Sequence, residues 1–522
     1  MIEHYIAAGL LCAIVAFAIA AAQAFMGVKI GTDHPGHVFL VRAIRDNGYR
    51  LFTRVPRLLN HAIIGAIPLY LHAIFARLGE RAMFWAERLL NPAMSAAQIL
   101  IFAILAYRAR TSDTDGLAAI LATVACFAFC PQFTHALSAR NFGLSSRSIG
   151  LAALTVCLSG AWLAERDPAF AAGWLLGLGG AFAVWAFSTF AAQALVLLVA
   201  GMALAGGHYT PGLMALGGLA GFVAVHPRFA PAYLRDTIAF LREYRRELAP
   251  LYILARRFSV WRDLWRDIPR ALCASPVAGL RYAYENPVLI VVLLNPLTLA
   301  AAYARLADEL APGLPAFAGD VTLAGLAAMV ATSLRATRFL GEPERYVEAV
   351  TPWSALAASG WIAGRFGADT LEAIAVVFVI LAVVQLGLFR ILFRYIISRP
   401  LDIAGAERAI AAFAPPGGVR LASNNEHMTK LFMYNDWDFA YCIAVGRGYA
   451  GMSITEAFER FPILRQSAFE NVLERYRINV CVLDRKIGDQ PFRSAPESLA
   501  EARLLHESEA LRCFGLSWRE EA

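Results

Sequence analysis

From Pro168 to Gly206 the chain carries no Asp, Glu, Lys or Arg. A bilayer crossing takes about 20 mostly apolar residues as a helix, so this run holds two crossings. A break is expected near Gly179-Gly180 or near Ser188-Thr189. Further apolar segments lie at 5–25, 93–107, 116–135, 148–164, 211–226, 287–305, 318–334, 350–364 and 370–396. With 58% apolar and 17% charged residues the chain falls well outside the soluble class, where charge runs at about 25%. Segment 5–25 is longer than a signal-peptide core of about 7–15 residues, and its leader MIEH has no basic cluster, so a retained span is expected.

From about Pro400 the hydropathy falls, and the tail reads as a small α/β module. GVRLAS (418–423), YCIAVG (441–446) and INVCVLD (478–484) are strand-like, with helix-like stretches at 452–461 and 466–476. The expected fold class is an all-α polytopic membrane domain over 1–399, with a soluble extracytoplasmic α/β domain over 400–522. The first outer loop covers 26–92 and a large outer loop 227–286. Segment 61–79, HAIIGAIPLYLHAIFARLG, has two readings: a span, or an amphipathic helix lying in the interface. The interfacial reading gives about eleven crossings, N-terminus in and C-terminus out, and gathers loops 30–92, 136–147, 227–286 and 335–349 with the tail on the outer side. A spanning 61–79 gives about twelve and separates the first loop from the others. Arg108, Arg110 and Arg166 then favour the first count by the positive-inside tendency, while the arginine-rich 227–286 loop runs against it.

The net charge of +7 rests on arginine, since Lys occurs only at 29, 430 and 486. Guanidinium forks suit phosphates and anionic headgroups. Nucleic acid is excluded as a partner, because the basic residues are scattered between spans. The eight Cys show no metal or disulfide spacing; Cys126 and Cys130 read as packing residues.

Three polar constellations carry the candidate chemistry. The first is Ile30–Asn60, with Asp33, His34, His37, Arg42 and Arg45 directly after the first span. Ionisable groups at a bilayer boundary are costly unless they bind, react or face water. Asp33 or Thr32 can cap a helix running to about Asp46, and Asp33 can equally act as a general base; the two roles are compatible. The D-H-P-G-H sequence fails as a zinc helix motif, having no second-position Glu and a Pro-Gly interruption. The second is HALSARNFGLSSRSIG (135–150), where Arg140, Asn141 and Arg147 either snorkel to the interface or contact phosphate. The third is RATRFLGEPERYVEAVTPW (335–353), where Glu342, Glu344, Arg345 and Tyr346 form a rim ion pair or a site for an anion.

An apolar span followed by D-x-x-x-H (Asp33, His37), I-x-x-N-G (Ile44 to Gly48) and P-L-x-x-H-x-x-x-A (Pro68 to Ala76) resembles polytopic glycosyltransferases of the C-type fold. FLGEPERY (339–346) is similar to the late loop of bacterial members. NVLERYRINVCVLDR (471–485) resembles their closing tyrosine-glycine-isoleucine strand, with Arg477 where the glycine would stand. The resemblance implies a multi-pass enzyme of the bacterial plasma (inner) membrane that moves a sugar from a polyprenyl-phosphate donor. The acceptor would be a glycan, lipid or protein. It makes Asp33 the catalytic acid of the first loop, and it makes 61–79 a juxtamembrane helix. Many members bear a second acid in the loop at 136–147, where this chain has Arg140 and Arg147; no cofactor is therefore expected, and a divalent cation lacks its second loop acid. Two other classes remain as alternatives. A transporter or flippase of a lipid-linked substrate would be suited by Asn295-Pro296 within 287–305 but not by the absence of repeats. A scaffold whose tail binds a partner is the other.

Overall fold

The computed structural model describes residues 1–27, 34–52, 67–110, 116–134, 143–248, 260–276, 286–334, 336–392, 401–415, 417–435, 437–440 and 451–519, with a few single positions between them. The chain forms two compact units. One comprises Met1–Val28, Phe84–Pro227 and Arg256–Arg390; the other comprises Lys29–Met83, Arg228–Ala255 and Ile391–Ala522. Parts of the first loop and of the arginine-rich loop are grouped with the C-terminal module.

The first unit is helical, and the chain is a multi-pass membrane protein. Among the described residues six helices are long and apolar enough to cross a bilayer: Ile2–Phe25, Glu80–Ala109, Arg147–Arg166, Thr189–Gly206, Leu314–Thr332 and Ala368–Gln385, or seven if one bent pair counts as a span. Leu117–Ala128, Ala171–Phe187 and Thr210–Val225 are apolar but shorter. Each segment expected to cross coincides with one of these helices, with the bent pair, or with Glu344–Phe366. The expected 116–135 segment is helical only to Ala128, and the 93–107 segment is the C-terminal half of a helix that starts at Glu80.

The uncharged run breaks at Ser188, which caps the second helix by accepting a hydrogen bond from the Ala191 amide at 3.3 Å. Gly179-Gly180 does not break it. Gly173 and Gly180 instead let Ala171–Phe187 touch Arg147–Arg166, as does Gly160 from the other side: a Cβ on Gly160 would sit 2.2 Å from the Gly177 amide nitrogen. Without a hydrophobic drive between helices in lipid, such close backbone contact is what holds them.

Pro287–Leu294 and Pro296–Leu306 meet at 92°. Pro296 supplies no N–H, so the break frees backbone groups that lipid cannot satisfy. Protein satisfies them instead. The Leu294 carbonyl accepts from the Gln132 amide at 2.9 Å, and fully buried Asn295 donates through Nδ2 to Thr351 Oγ1 at 3.0 Å. Thr351 belongs to Glu344–Phe366, whose Tyr346, Trp353 and Ser354 are all fully buried.

In the second unit a five-stranded mixed sheet runs β2-β1-β5-β7-β6, built from β1 (Arg420–Ser423), β2 (Asp438–Phe439), β5 (Val480–Asp484), β6 (Leu499–Glu507) and β7 (Leu511–Trp518). β1 pairs in parallel with β2 and β5, and β7 pairs antiparallel with β5 and β6. Helix Gln466–Arg475 packs Phe469, Val472 and Leu473 into the core with Cys481 and Leu516. The expected strands at 418–423 and 478–484 are β1 and β5, whereas YCIAVG (441–446) lies outside the described residues.

The expected helix at 452–461 is corrected. Helix spans only Ile454–Ala457, closed by a Ser453/Glu456 capping box, after which β3 (Phe458–Arg460) and β4 (Ile463–Leu464) form a small antiparallel pair. Phe458 and Leu464 point inward there, which fits a two-residue period better than a helical one. Arg477 has φ 46°, the left-handed region that costs a residue with a Cβ about 1–2 kcal/mol. That backbone explains the glycine expected at this place.

Candidate functional site

In the membrane unit the second and third constellations converge. Arg147 opens its helix and reaches Glu348, Nη2 to Oε2 at 2.6 Å, while its guanidinium lies over the Phe190 ring at 4.7 Å. Arg345 approaches the same ring from the start of Glu344–Phe366, at 5.7 Å, and bonds Glu342 through Nε. Tyr346 packs on Phe190 with ring centroids 5.6 Å apart and donates its hydroxyl to the Leu340 carbonyl at 2.8 Å. Nearby, buried Asn91 donates to the Gly143 carbonyl at 2.8 Å and accepts from Ser148 Oγ at 2.5 Å, tying the entry of the Arg147 helix to Glu80–Ala109.

Two cations thus lie against one aromatic ring, and each is paired with a carboxylate. Such a cluster gives up a pairing to receive an anion, and Arg forks are suited to the oxygens of a phosphate. Sequence reasoning singled out Arg147, Glu342, Arg345 and Tyr346 but missed Phe190, Glu348 and Asn91. Phe190 sits in the middle of an uncharged run, where nothing sets it apart from packing aromatics. Glu348 was legible: it follows Glu344 by one helical turn and so shares its face.

In the other unit, helix His34–Asp46 packs on Tyr70–Ala76. At seven residues the second helix is about 10 Å long, far short of a span. His37 Nδ1 and His72 Nε2 are hydrogen bonded at 2.8 Å with the rings stacked at 5.1 Å. His72 is fully buried, and this burial, helped by His37 beside it, holds its pKa well below the usual imidazole range against the opposing influence of the Pro68 carbonyl. Arg45 donates to the Ala76 and Leu78 carbonyls at 3.2 and 3.0 Å and pairs with Glu80 at 2.8 Å, closing the end of Tyr70–Ala76. Arg42 donates to the Tyr434 carbonyl and lies over the Tyr434 ring at 5.5 Å; buried His34 stands 5.9 Å from that ring. These contacts tie the first loop to the C-terminal module within this unit.

Asp33 directly precedes the helix that starts at His34, but Asp33, Arg140 and Asn141 lie outside the described residues. Among the described residues no group of three or more His, Cys, Asp or Glu is placed to hold a metal ion.

The helical bundle with its arginine-bearing loops and α/β tail has the C-type fold of polytopic membrane glycosyltransferases. An archaeal oligosaccharyltransferase, AglB from Archaeoglobus fulgidus in complex with an inhibitory peptide and a dolichol-phosphate, is similar over 91% of this chain and 69% of its own, with a TM-score of 0.52 at 11% identity. ArnT from Cupriavidus metallidurans bound to undecaprenyl phosphate is covered over 97% of each chain, with a TM-score of 0.41 at 14% identity. No protein-family profile and no curated protein sequence matches the chain.

Proposed function

We propose that the chain is an integral-membrane glycosyltransferase that moves a sugar from a lipid-phosphate donor to an extracytoplasmic acceptor. The observation that carries this reading is the convergence of Arg147 and Arg345 on Phe190 at the start of two membrane helices, in a chain with this fold. The donor phosphate would lie against these guanidinium groups, with Arg140 and Asn141 a few residues before Arg147 in the sequence. Asp33 takes the proton of an acceptor hydroxyl, and the resulting oxygen attacks the anomeric carbon. The bond from that carbon to the phosphate oxygen breaks, and a lipid phosphate leaves as an anion. One displacement inverts the configuration. Fixed arginines at the leaving oxygen act where water is excluded, so no side-chain acid need protonate it. The proposed topology has the N-terminus in the cytoplasm of a bacterium and the α/β module outside.

A second reading has one observation in its favour. The 92° break at Asn295 is the kind of discontinuous helix that transporters use at their binding sites. The test is Asp33→Asn in purified, folded protein supplied with lipid-linked sugar donors. Loss of transfer by about 10²–10⁴-fold is expected of a missing general base. Transfer at the wild-type rate would rule out Asp33 as the base, and movement of intact donor between leaflets without transfer would favour the transporter.

A further inference from the structure

The helix that begins at Arg147 ends at Arg166, and its 20 residues put the two ends about 28 Å apart. Around the Arg166 end the membrane unit lines an open cavity of about 630 Å³, remote from the Phe190 cluster. Arg108 and Arg110 reach it from the end of Glu80–Ala109, Glu165 and Arg166 from the end of their own helix, and His208 from the Gly206–Tyr209 connection. Asp320 and Phe317 reach it from Leu314–Thr332. The N-terminus is at this end too, since Arg110 contacts Met1 Sδ and Tyr5 packs on Tyr107 at 5.9 Å.

The carboxylates at this cavity are already committed. His208 is gripped from both sides, Nδ1 by Glu165 at 2.7 Å and Nε2 by Asp320 at 3.2 Å, and Asp320 also takes Arg305 Nε at 2.8 Å. Among the described residues, neither Arg108 nor Arg166 has an ion-pair partner; Arg166 lies over Trp162 at 5.7 Å. Two guanidinium groups from different helices therefore face a cavity whose acids are spent on other cations. Its remaining wall includes Trp162, Phe317 and the prolines of 312–316, an apolar surface beside the arginines. A single phosphate would fill a small part of the volume, whereas a headgroup with the start of its acyl chains fits the mixture of cation and apolar wall.

We propose that this cavity binds the phosphate of an anionic phospholipid from the adjoining leaflet, held between Arg108 and Arg166. Guanidinium forks match phosphate oxygens, and a basic pocket between membrane helices is a site for anionic headgroups. The site is separate from the proposed donor site and does not depend on that reading.

The test uses the full chain in detergent, with native mass spectrometry to count retained phosphatidylglycerol against phosphatidylcholine. Wild type should prefer phosphatidylglycerol. Arg108→Gln/Arg166→Gln should lose that preference by roughly thirtyfold, taking about 1 kcal/mol per arginine. Arg503→Gln in the exposed β6 strand should keep it. No preference in wild type, or one that survives the double variant, overturns the site. Displacement of the lipid by millimolar inorganic phosphate overturns the lipid source. Should the double variant fail to fold, hydrogen exchange on the unaltered chain decides: phosphatidylglycerol, and not phosphatidylcholine, must protect amides near Arg166 and His208.

Discussion

Replacing His208 by Gln, followed across pH, tests the geometry of the cavity at the Arg166 end directly. Hydrogen bonds to Asp320 and Glu165 favour the charged imidazole over the cost of its partial burial, raising its pKa from 6.5 to about 9. Because the folded pKa lies above the unfolded one, the contribution is fully present below about pH 6.5 and is lost as pH rises through about 9. A rise of this size corresponds to about 3 kcal/mol at most. The side chain is 21% exposed at a cavity mouth, and solvent screening reduces the figure to about 1–2 kcal/mol. Gln can still bond one carboxylate but carries no charge. Wild type should therefore exceed His208→Gln by this amount at pH 6, and the gap should close by pH 9.5. Chemical or thermal unfolding of both proteins in the same detergent measures it. Parallel stability curves from pH 6 to 9.5 would refute a charged His208 clamped by two acids.

Arg147→Gln should lower transfer by about 10–100-fold and also destabilise by about 1–3 kcal/mol, because Glu348, 20% exposed, loses its partner. Adding Glu348→Gln should recover the stability but not the transfer, a difference that a double-mutant cycle reads. Gly160→Ala should cost about 1–3 kcal/mol or more because its new Cβ meets the Gly177 backbone, whereas Gly179→Ala, with nothing within 4 Å, should be neutral or slightly stabilising; unfolding of each variant shows it. At position 477, Gly should be more stable than Ala by about 1 kcal/mol in the C-terminal module, since only Ala keeps a Cβ at φ 46°.

The sequence alone determined where apolar helices form, because lipid demands long uncharged runs and their limits are written in the charges beside them. It also located β1, β5 and helix Gln466–Arg475 through their periods. It missed the β6–β7 hairpin, since LAEARLLHE is rich in good helix formers and is largely exposed, so pairing with β7 decides its conformation. It could not choose between Gly180 and Ser188 as the break. That depended on Gly180 packing against Cys157, with a Cβ there only 2.6 Å from the Cys157 nitrogen, a fact of another helix.

The candidate site divides in the same way. Arg147, Glu342, Arg345 and Tyr346 were legible as ionisable groups at membrane boundaries, where their cost asks for a reason. Their meeting over Phe190 was not legible, nor was the His208 clamp assembled from acids 43 and 112 residues away. Local patterns fix which residues enter the bilayer; side-chain encounters across it depend on how the helices cross, and crossing is set by distant small residues that no short window of sequence contains.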